Sequence, residues 1–275
     1  MARGRTTREG KGGPGVSIEI EVSHEGRVET WWLNRPEARN AVSLDMWRAV
    51  ADNAQRVRAD RKIRVVVVRG RGGHFSAGAD IGQLGRSLAS DAEGGHYRAT
   101  NALAERALSS LPLPTVAAIE GFCIGGGVQL ALSCDLRVAT STSRFAITPA
   151  KLGISYPSAA LQRLVAAVGP SHASELLLTA DMIDAHRAHA MGLVNRVNDD
   201  LDSAVSDLVT TLLSRSAFTQ AATKSIIDAL LTDVDIADLG REWERRSLEV
   251  ADFTEGAQAF AEKRDPIFHE RPAID

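Results

Sequence analysis

Two short runs of the 275-residue chain, IRVVVVRG at 63–70 and TVAAIEG at 115–121, are apolar without alternation. A strand with one wet face alternates apolar and polar residues. A continuous run of this length, rich in valine and isoleucine, fits a strand covered on both faces. Each run leads into a glycine-bearing loop, RGGHFSAGADI after the first and GFCIGGG after the second. A helical stretch covering His96–Leu108 and broken by LPLP lies between them. Strands separated by helical crossovers imply an α/β architecture with its working loops at the C-terminal ends of the strands.

The flanking sequence fits that frame. GVSIEIEVSHEGRVETWWLN alternates on both sides of a His-Glu-Gly turn, which predicts a β-hairpin with one buried face. Ser43 is placed to cap a helix whose Trp47, Val50, Ala54 and Val57 share one face. The triple glycine is expected to open a helix over 126–133, and CDLRVATSTSRFAITP to supply another strand region. Beyond Pro157 the pattern turns helical, and from Leu201 to Lys263 there is little strand signal, with Phe253, Ala257 and Phe260 at helical spacing. Three segments result: a disordered basic tail at 1–14, a core at 15–200 and a helical region at 201–275.

Composition narrows the function. Hydrophobic residues at 44% supply a substantial core, and 32 basic against 35 acidic residues, mixed throughout, give no field for nucleic acid. Cys123 and Cys134 lie in one apolar stretch and read as buried thiols. The tail MARGRTTREGKGGP has no apolar secretory region, and no run reaches the ~18 apolar residues of a membrane span. The expectation is a soluble cytoplasmic enzyme with no nucleic-acid or membrane partner.

Glycines at a strand-to-helix junction let the backbone approach a ligand and leave unpaired N–H groups at the positive helix end. If FSAGAD and the triple glycine face each other, one N–H from each could grip a single oxygen. Equally, the glycines could serve only tight turns and close packing. Neither loop has the GxGxxG or GxxxxGK[ST] spacing of nucleotide-phosphate sites. His186 and His189 have no carboxylate or cysteine partner in sequence, so no metal site is expected. Ser76 lacks a neighbouring triad, and His74 either lines the loop's mouth or faces solvent.

At these loops the sequence resembles the enoyl-CoA hydratase/isomerase, or crotonase, family. The resemblance runs from about Val16 to Phe268 through NRPEARNAVS, FSAGADI, the strand into GGG, CDLRVA, PAKLGI and FTEGAQAFAEKRDP. It implies a crotonase-like spiral ββα core with a C-terminal helical trimerisation region, assembled as a homotrimer or dimer of trimers. It also implies an acyl-CoA thioester whose carbonyl oxygen is held by the N–H groups of Ala79 and Gly126, with no cofactor beyond the coenzyme A moiety. Contacts to that moiety carry over onto Ala38, Asn40, Ala41, Asp80 and Ile81, although turn and capping roles suit Asn40 and Asp80 as well.

Hydratases of the family use two glutamates, which correspond here to Gln129 and Pro149. An amide can orient water but is no general base, and proline offers no polar side-chain atom. STSRFAITPAKLGISYP is similar to the same stretch of methylmalonyl-CoA decarboxylases, which places Tyr156 at the position of their active-site tyrosine. Those enzymes have histidine where this chain has Ala79 and glutamate where it has Gln129, so their substrate does not transfer. Tyr156 could also be a packed boundary residue, and Glu120, just upstream of the glycine loop, fits a paired structural role better than a catalytic one. Three readings follow: a lyase decarboxylating a 2-carboxyacyl-CoA, an enoyl-CoA hydratase or double-bond isomerase, and a catalytically weak acyl-CoA binding protein. The first is preferred.

Overall fold

The computed structural model describes residues 6–7, 19–87, 89–232, 234–268 and 271. The chain runs through β1 (Thr6–Thr7), β2 (Ile20–Glu25), β3 (Val28–Leu33), a 3₁₀ turn (Pro36–Ala38), α1 (Leu44–Ala59) and β4 (Val65–Gly70). It continues as α2 (Ile81–Ser87), α3 (Asp91–Ser109), β5 (Thr115–Ile119), β6 (Phe122–Ile124), α4 (Gly126–Leu132), β7 (Leu136–Ala139) and β8 (Arg144–Ala146). Then come α5 (Pro149–Leu152), α6 (Ser158–Thr179), β9 (Ile183–Asp184), α7 (Ala185–Ala190) and β10 (Arg196–Val197). The helices α8 (Leu201–Leu213), α9 (Ala217–Leu231), α10 (Ile236–Ser247) and α11 (Ala251–Glu262) finish it. The tail expected at 1–14 lies outside the described residues except for Thr6–Thr7, which pair with Ser23 and His24.

The large sheet has the order β1-β2-β3-β4-β5-β7-β10, with the β2–β3 hairpin antiparallel and every pair from β3 onward parallel. A second sheet, β6-β8-β9, stands beside it. Only Glu120 and Gly121 separate β5 from β6, so the chain leaves one sheet and enters the other within two residues. Isolated parallel bridges, Val42 with Ala79 and Ser76 with Cys123, extend the second layer. Each turn of the chain therefore lays a strand in the large sheet, then a shorter extended stretch in the second layer, then helix. This is a spiral ββα core.

The continuous apolar runs are explained by burial on both faces. Val66, Val68, Ala117 and Ile119 join Met46, Trp47, Val50 and Leu108 of α1 and α3 in one core. Val65, Val67, Val116 and Ala118 point the other way, against Leu201, Ala204, Val205 and Leu208 of α8. Full burial of each valine, leucine or isoleucine side chain stabilises by about 1.5–3 kcal/mol, so both faces help to hold the sheet. Within the 201–275 stretch, α8 thus covers the second face of the sheet.

Ser43 caps α1 as its sequence predicts, its Oγ accepting from Met46 N at 3.0 Å. The polar segment 82–100 folds into α2 and the first turns of α3, where Ser90 Oγ accepts from Glu93 N at 3.2 Å. The single strand region expected across CDLRVATSTSRFAITP is two strands, β7 and β8, in different sheets. Among the described residues no helix is long and apolar enough to cross a membrane.

Candidate active site

The loops after β4 and β5 meet. Ser76 N donates to Phe122 O at 2.8 Å and Ile124 N returns a bond to Ser76 O at 3.0 Å, which sets FSAGAD alongside β6. Gly78 turns the chain with φ of 109°, and a Cβ there would lie 3.1 Å from Ile124 O. Across the gap, a Cβ on Gly126 would lie 3.1 Å from Ala79 N. The Ala79 and Gly126 backbones are therefore neighbours, and a side chain at 126 would crowd this approach.

The surrounding N–H groups are engaged: Val42 N bonds Gly78 O at 2.7 Å, Asp80 N bonds Val42 O at 3.0 Å and Gly125 N bonds Ala146 O at 2.8 Å. Among the described residues, Ala79 N and Gly126 N have no such acceptor. Gly126 is also the first residue of α4, where the N–H groups have no intrahelical partner and the helix dipole is positive. Two free donors this close can take one oxygen between them.

Other side chains named from the sequence hold the loops. Asn40 is fully buried, its Oδ1 accepting from Arg35 N at 2.9 Å and its Nδ2 donating to Arg71 O at 2.8 Å and His74 O at 2.7 Å. Its amide is spent on the backbone, so Asn40 can meet a ligand only through the shape it gives Ala38–Ala41. Asp80 accepts from Gln83 N at 3.0 Å, capping α2, and pairs with Arg35 Nη2 at 3.1 Å. The Gln83 N–H and the Arg35 guanidinium hold its carboxyl below the usual range. Ile81 next to it is exposed. Ser76 Oγ donates to Asn40 O at 2.8 Å. His74 is half-buried: its ring stacks on Phe122 with centroids 4.8 Å apart, and its Nδ1 accepts from Phe122 N at 3.2 Å. Glu120 pairs with Arg69 Nη2 at 3.8 Å.

Behind the donors lies a buried polar cluster. Gln129, on the second turn of α4, is 8% exposed and accepts at Oε1 from Asn101 Nδ2 of α3 at 3.3 Å. Glu105, four residues beyond Asn101, is 1% exposed and sits 3.8 Å from Arg163 Nη1 of α6. The Tyr156 hydroxyl is also inaccessible, although its ring is only partly buried against the core. Burial, with the Glu105 charge adding, raises the Tyr156 hydroxyl well above its ordinary value. Pro149 opens α5. Its neighbour Thr148 places Oγ1 3.7 Å from a Cβ on Gly125, so this segment adjoins the glycine loop. The sequence reading missed Asn101 and Glu105; the available signal was two polar residues in the helical stripe of Tyr97, Ala104 and Leu108.

A cavity of about 790 Å³ lies elsewhere, at the N-terminal ends of β5 and β7, lined by Pro114, Leu136, Thr219 and Lys224 among others. In parallel sheets chemistry sits at the opposite, C-terminal ends, where the two glycine loops are.

The family profile described as Enoyl-CoA hydratase/isomerase matches residues 24–271. The chain belongs to the enoyl-CoA hydratase/isomerase family. It is 33% identical to a crotonyl-CoA hydratase of Syntrophomonas wolfei, covering 90% of this chain and 97% of that one. It is 31% identical to the mitochondrial methylglutaconyl-CoA hydratase of Mus musculus, covering 97% and 89%. A solved structure of an enoyl-CoA hydratase/isomerase family protein from Hyphomonas neptunium superposes with a TM-score of 0.87 at 33% identity, covering 92% of this chain and 98% of that one. Membership makes this chain an acyl-CoA-transforming enzyme with the crotonase fold.

One consequence for this family member concerns stability. Burial, only partly offset by Arg163, pushes the Glu105 carboxyl up to about 7. A folded value above the unfolded one means that its contribution to stability is intact below about pH 4.5 and is lost as the pH rises through about 7. At 1.36 kcal/mol per pH unit the loss is about 3 kcal/mol. Urea unfolding at pH 5 and pH 8 should therefore show wild type losing more stability between the two than Glu105→Gln. Equal losses would mean that the carboxyl is not perturbed.

Proposed function

We propose that the two free donors, Ala79 N and Gly126 N, hold the thioester oxygen of an acyl-CoA and stabilise the enolate formed from it, and that the reaction is decarboxylation of a 2-carboxyacyl-CoA. The observation that carries this reading is the unpaired N–H couple beside positions 129 and 149, which bear an amide and a proline. Removing carboxylate from the carbon next to a thioester puts negative charge on the thioester oxygen, where preorganised donors favour it over the neutral ground state. No base is needed to start: the C–C bond electrons pass into the enolate, carbon dioxide leaves, and one proton then returns to the carbon. Gln129, held by Asn101, can orient the leaving carboxylate, and Tyr156 can supply the proton. Ala38, Asn40, Ala41, Asp80 and Ile81 flank the coenzyme A end in this reading, Asn40 and Asp80 by shaping the loop.

A competition among crotonyl-CoA, a 3-enoyl-CoA and methylmalonyl-CoA, followed by product mass, tests it. Loss of carbon dioxide is expected, slowed about 10-fold or more in Tyr156→Phe. Fast hydration of crotonyl-CoA that disappears in Gln129→Ala would overturn decarboxylation in favour of the hydratase reading, to which the names of the relatives point. Binding without turnover of any of the three would instead favour an acyl-CoA binding protein.

We also infer assembly as a homotrimer or dimer of trimers through the C-terminal helices. There Phe253 and Phe260 of α11 are 69% and 87% exposed, an unusual cost for a lone chain. Sedimentation should give three or six copies, with Phe260→Asp shifting the population toward monomer; a monomeric wild type would refute the inference.

A further inference from the structure

Both carboxylate oxygens of Glu105 and the hydroxyl of Tyr156 are inaccessible to solvent and have no hydrogen-bond partner among the described residues. Arg163, the charged group facing Glu105 from α6, is 3.8 Å away and gives its Nη2 to Ser109 Oγ at 2.7 Å instead. A buried acid left this poorly satisfied is costly, and its retention points to use. Its position is also specific. Glu105 is one turn along α3 from Asn101, about 6 Å of rise, and Asn101 holds Gln129 on the helix that Gly126 opens.

We propose that Glu105 and Tyr156 are the proton-transfer pair of this site, Tyr156 protonating the α-carbon of the enolate and Glu105 reprotonating Tyr156. The proposal rests on the enolate reading given above and names the proton source that Gln129 and Pro149 cannot be. In the step, the Tyr156 O–H bond breaks and a C–H bond forms at the α-carbon, while the enolate electrons close that bond and restore the thioester carbonyl. The resulting phenolate takes the proton of the Glu105 carboxylic acid as substrate closes on the pair, and the carboxylate regains a proton once product release opens the cluster to water. For a 2-carboxyacyl-CoA the sum is substrate plus one proton giving acyl-CoA and carbon dioxide. The reverse order removes an α-proton.

The electrostatics suit these roles. Burial keeps the Tyr156 hydroxyl protonated, as a donor must be, and raises the Glu105 carboxyl to about 7, where it both holds and releases a proton near neutrality. The other titratable group acting on Tyr156 is the buried Cys123 thiol of β6, whose own ionisation burial also suppresses.

The test is deuterium wash-in at the α-carbon of butyryl-CoA in heavy water, read by mass, which needs neither decarboxylation nor hydration. Wild type should exchange, with a rate governed by a group near neutral pH. Glu105→Gln and Tyr156→Phe should each slow exchange about 100-fold or more. Both should bind butyryl-CoA within about 2-fold of wild type by calorimetry, and Glu105→Asp should recover part of the rate and the pH dependence. Exchange by Glu105→Gln at the wild-type rate and pH profile would overturn the proposal while leaving the enolate reading standing. Loss of butyryl-CoA binding in both Glu105→Gln and Glu105→Leu would overturn it by assigning Glu105 a structural role. Binding without any exchange by wild type would overturn this proposal and the enolate reading together.

Discussion

Replacing Gly126 by alanine is expected to lower turnover of any acyl-CoA substrate by about 100-fold or more, with the fold intact. Gly126 is not in the left-handed region and stands at the first position of α4, so alanine suits the backbone. The cost is local. The added methyl would sit 3.1 Å from Ala79 N, 3.4 Å from Gly78 C and 3.6 Å from Ala79 Cα, at the edge of the gap that an oxygen shared by the two donors must enter. Gly78→Ala is a poorer probe, because φ of 109° and Ile124 O at 3.1 Å would damage folding as well. Steady-state kcat/KM and Tm measured together decide the matter. A Gly126→Ala enzyme within a few-fold of wild type, with unchanged Tm, would remove the Ala79 and Gly126 pair from the chemistry.

What the sequence made legible follows from where the signals are local. Val65–Val68 reads as a doubly covered strand because every residue is apolar, and the structure supplies α1 and α3 on one side and α8 on the other. The β2–β3 hairpin and the Ser43 cap are equally local, resting on alternation and on one side-chain oxygen. The strands β9 and β10, two residues each, carry no periodicity and exist through pairing with distant β8 and β7. The site shows the same division. FSAGAD and the triple glycine are visible as glycine loops, but their contact depends on the Ser76–Cys123 bridge between segments 47 positions apart. Glu105 was not legible as a buried acid, since a glutamate in ALAERAL reads as the wet side of a helix until α6 and Tyr156, some 50 residues later, close over it.

The variant carrying both Gln129→Glu and Pro149→Glu is expected to gain hydration of crotonyl-CoA by about 100-fold or more over wild type, the range of a well-placed acid or base. Gln129 is already positioned: a carboxylate there would accept the Asn101 amide that now meets Oε1 at 3.3 Å, in a stronger, charge-assisted bond. Position 149 follows Thr148 at the glycine loop and begins α5, where an acidic side chain is compatible with the helix start. Each single substitution should gain much less, because water must be held by one group while another moves its proton. The same variant should lose decarboxylation, since a new negative charge at 129 would oppose the substrate carboxylate across a poorly solvated pocket. Loss of enoyl thioester absorbance and release of carbon dioxide, followed in parallel, read both changes. A double variant that folds, binds acyl-CoA and still does not hydrate would mean that the amide and the proline are not what separates this chain from the two-glutamate route. The barrier would then lie in the shape of the acyl pocket.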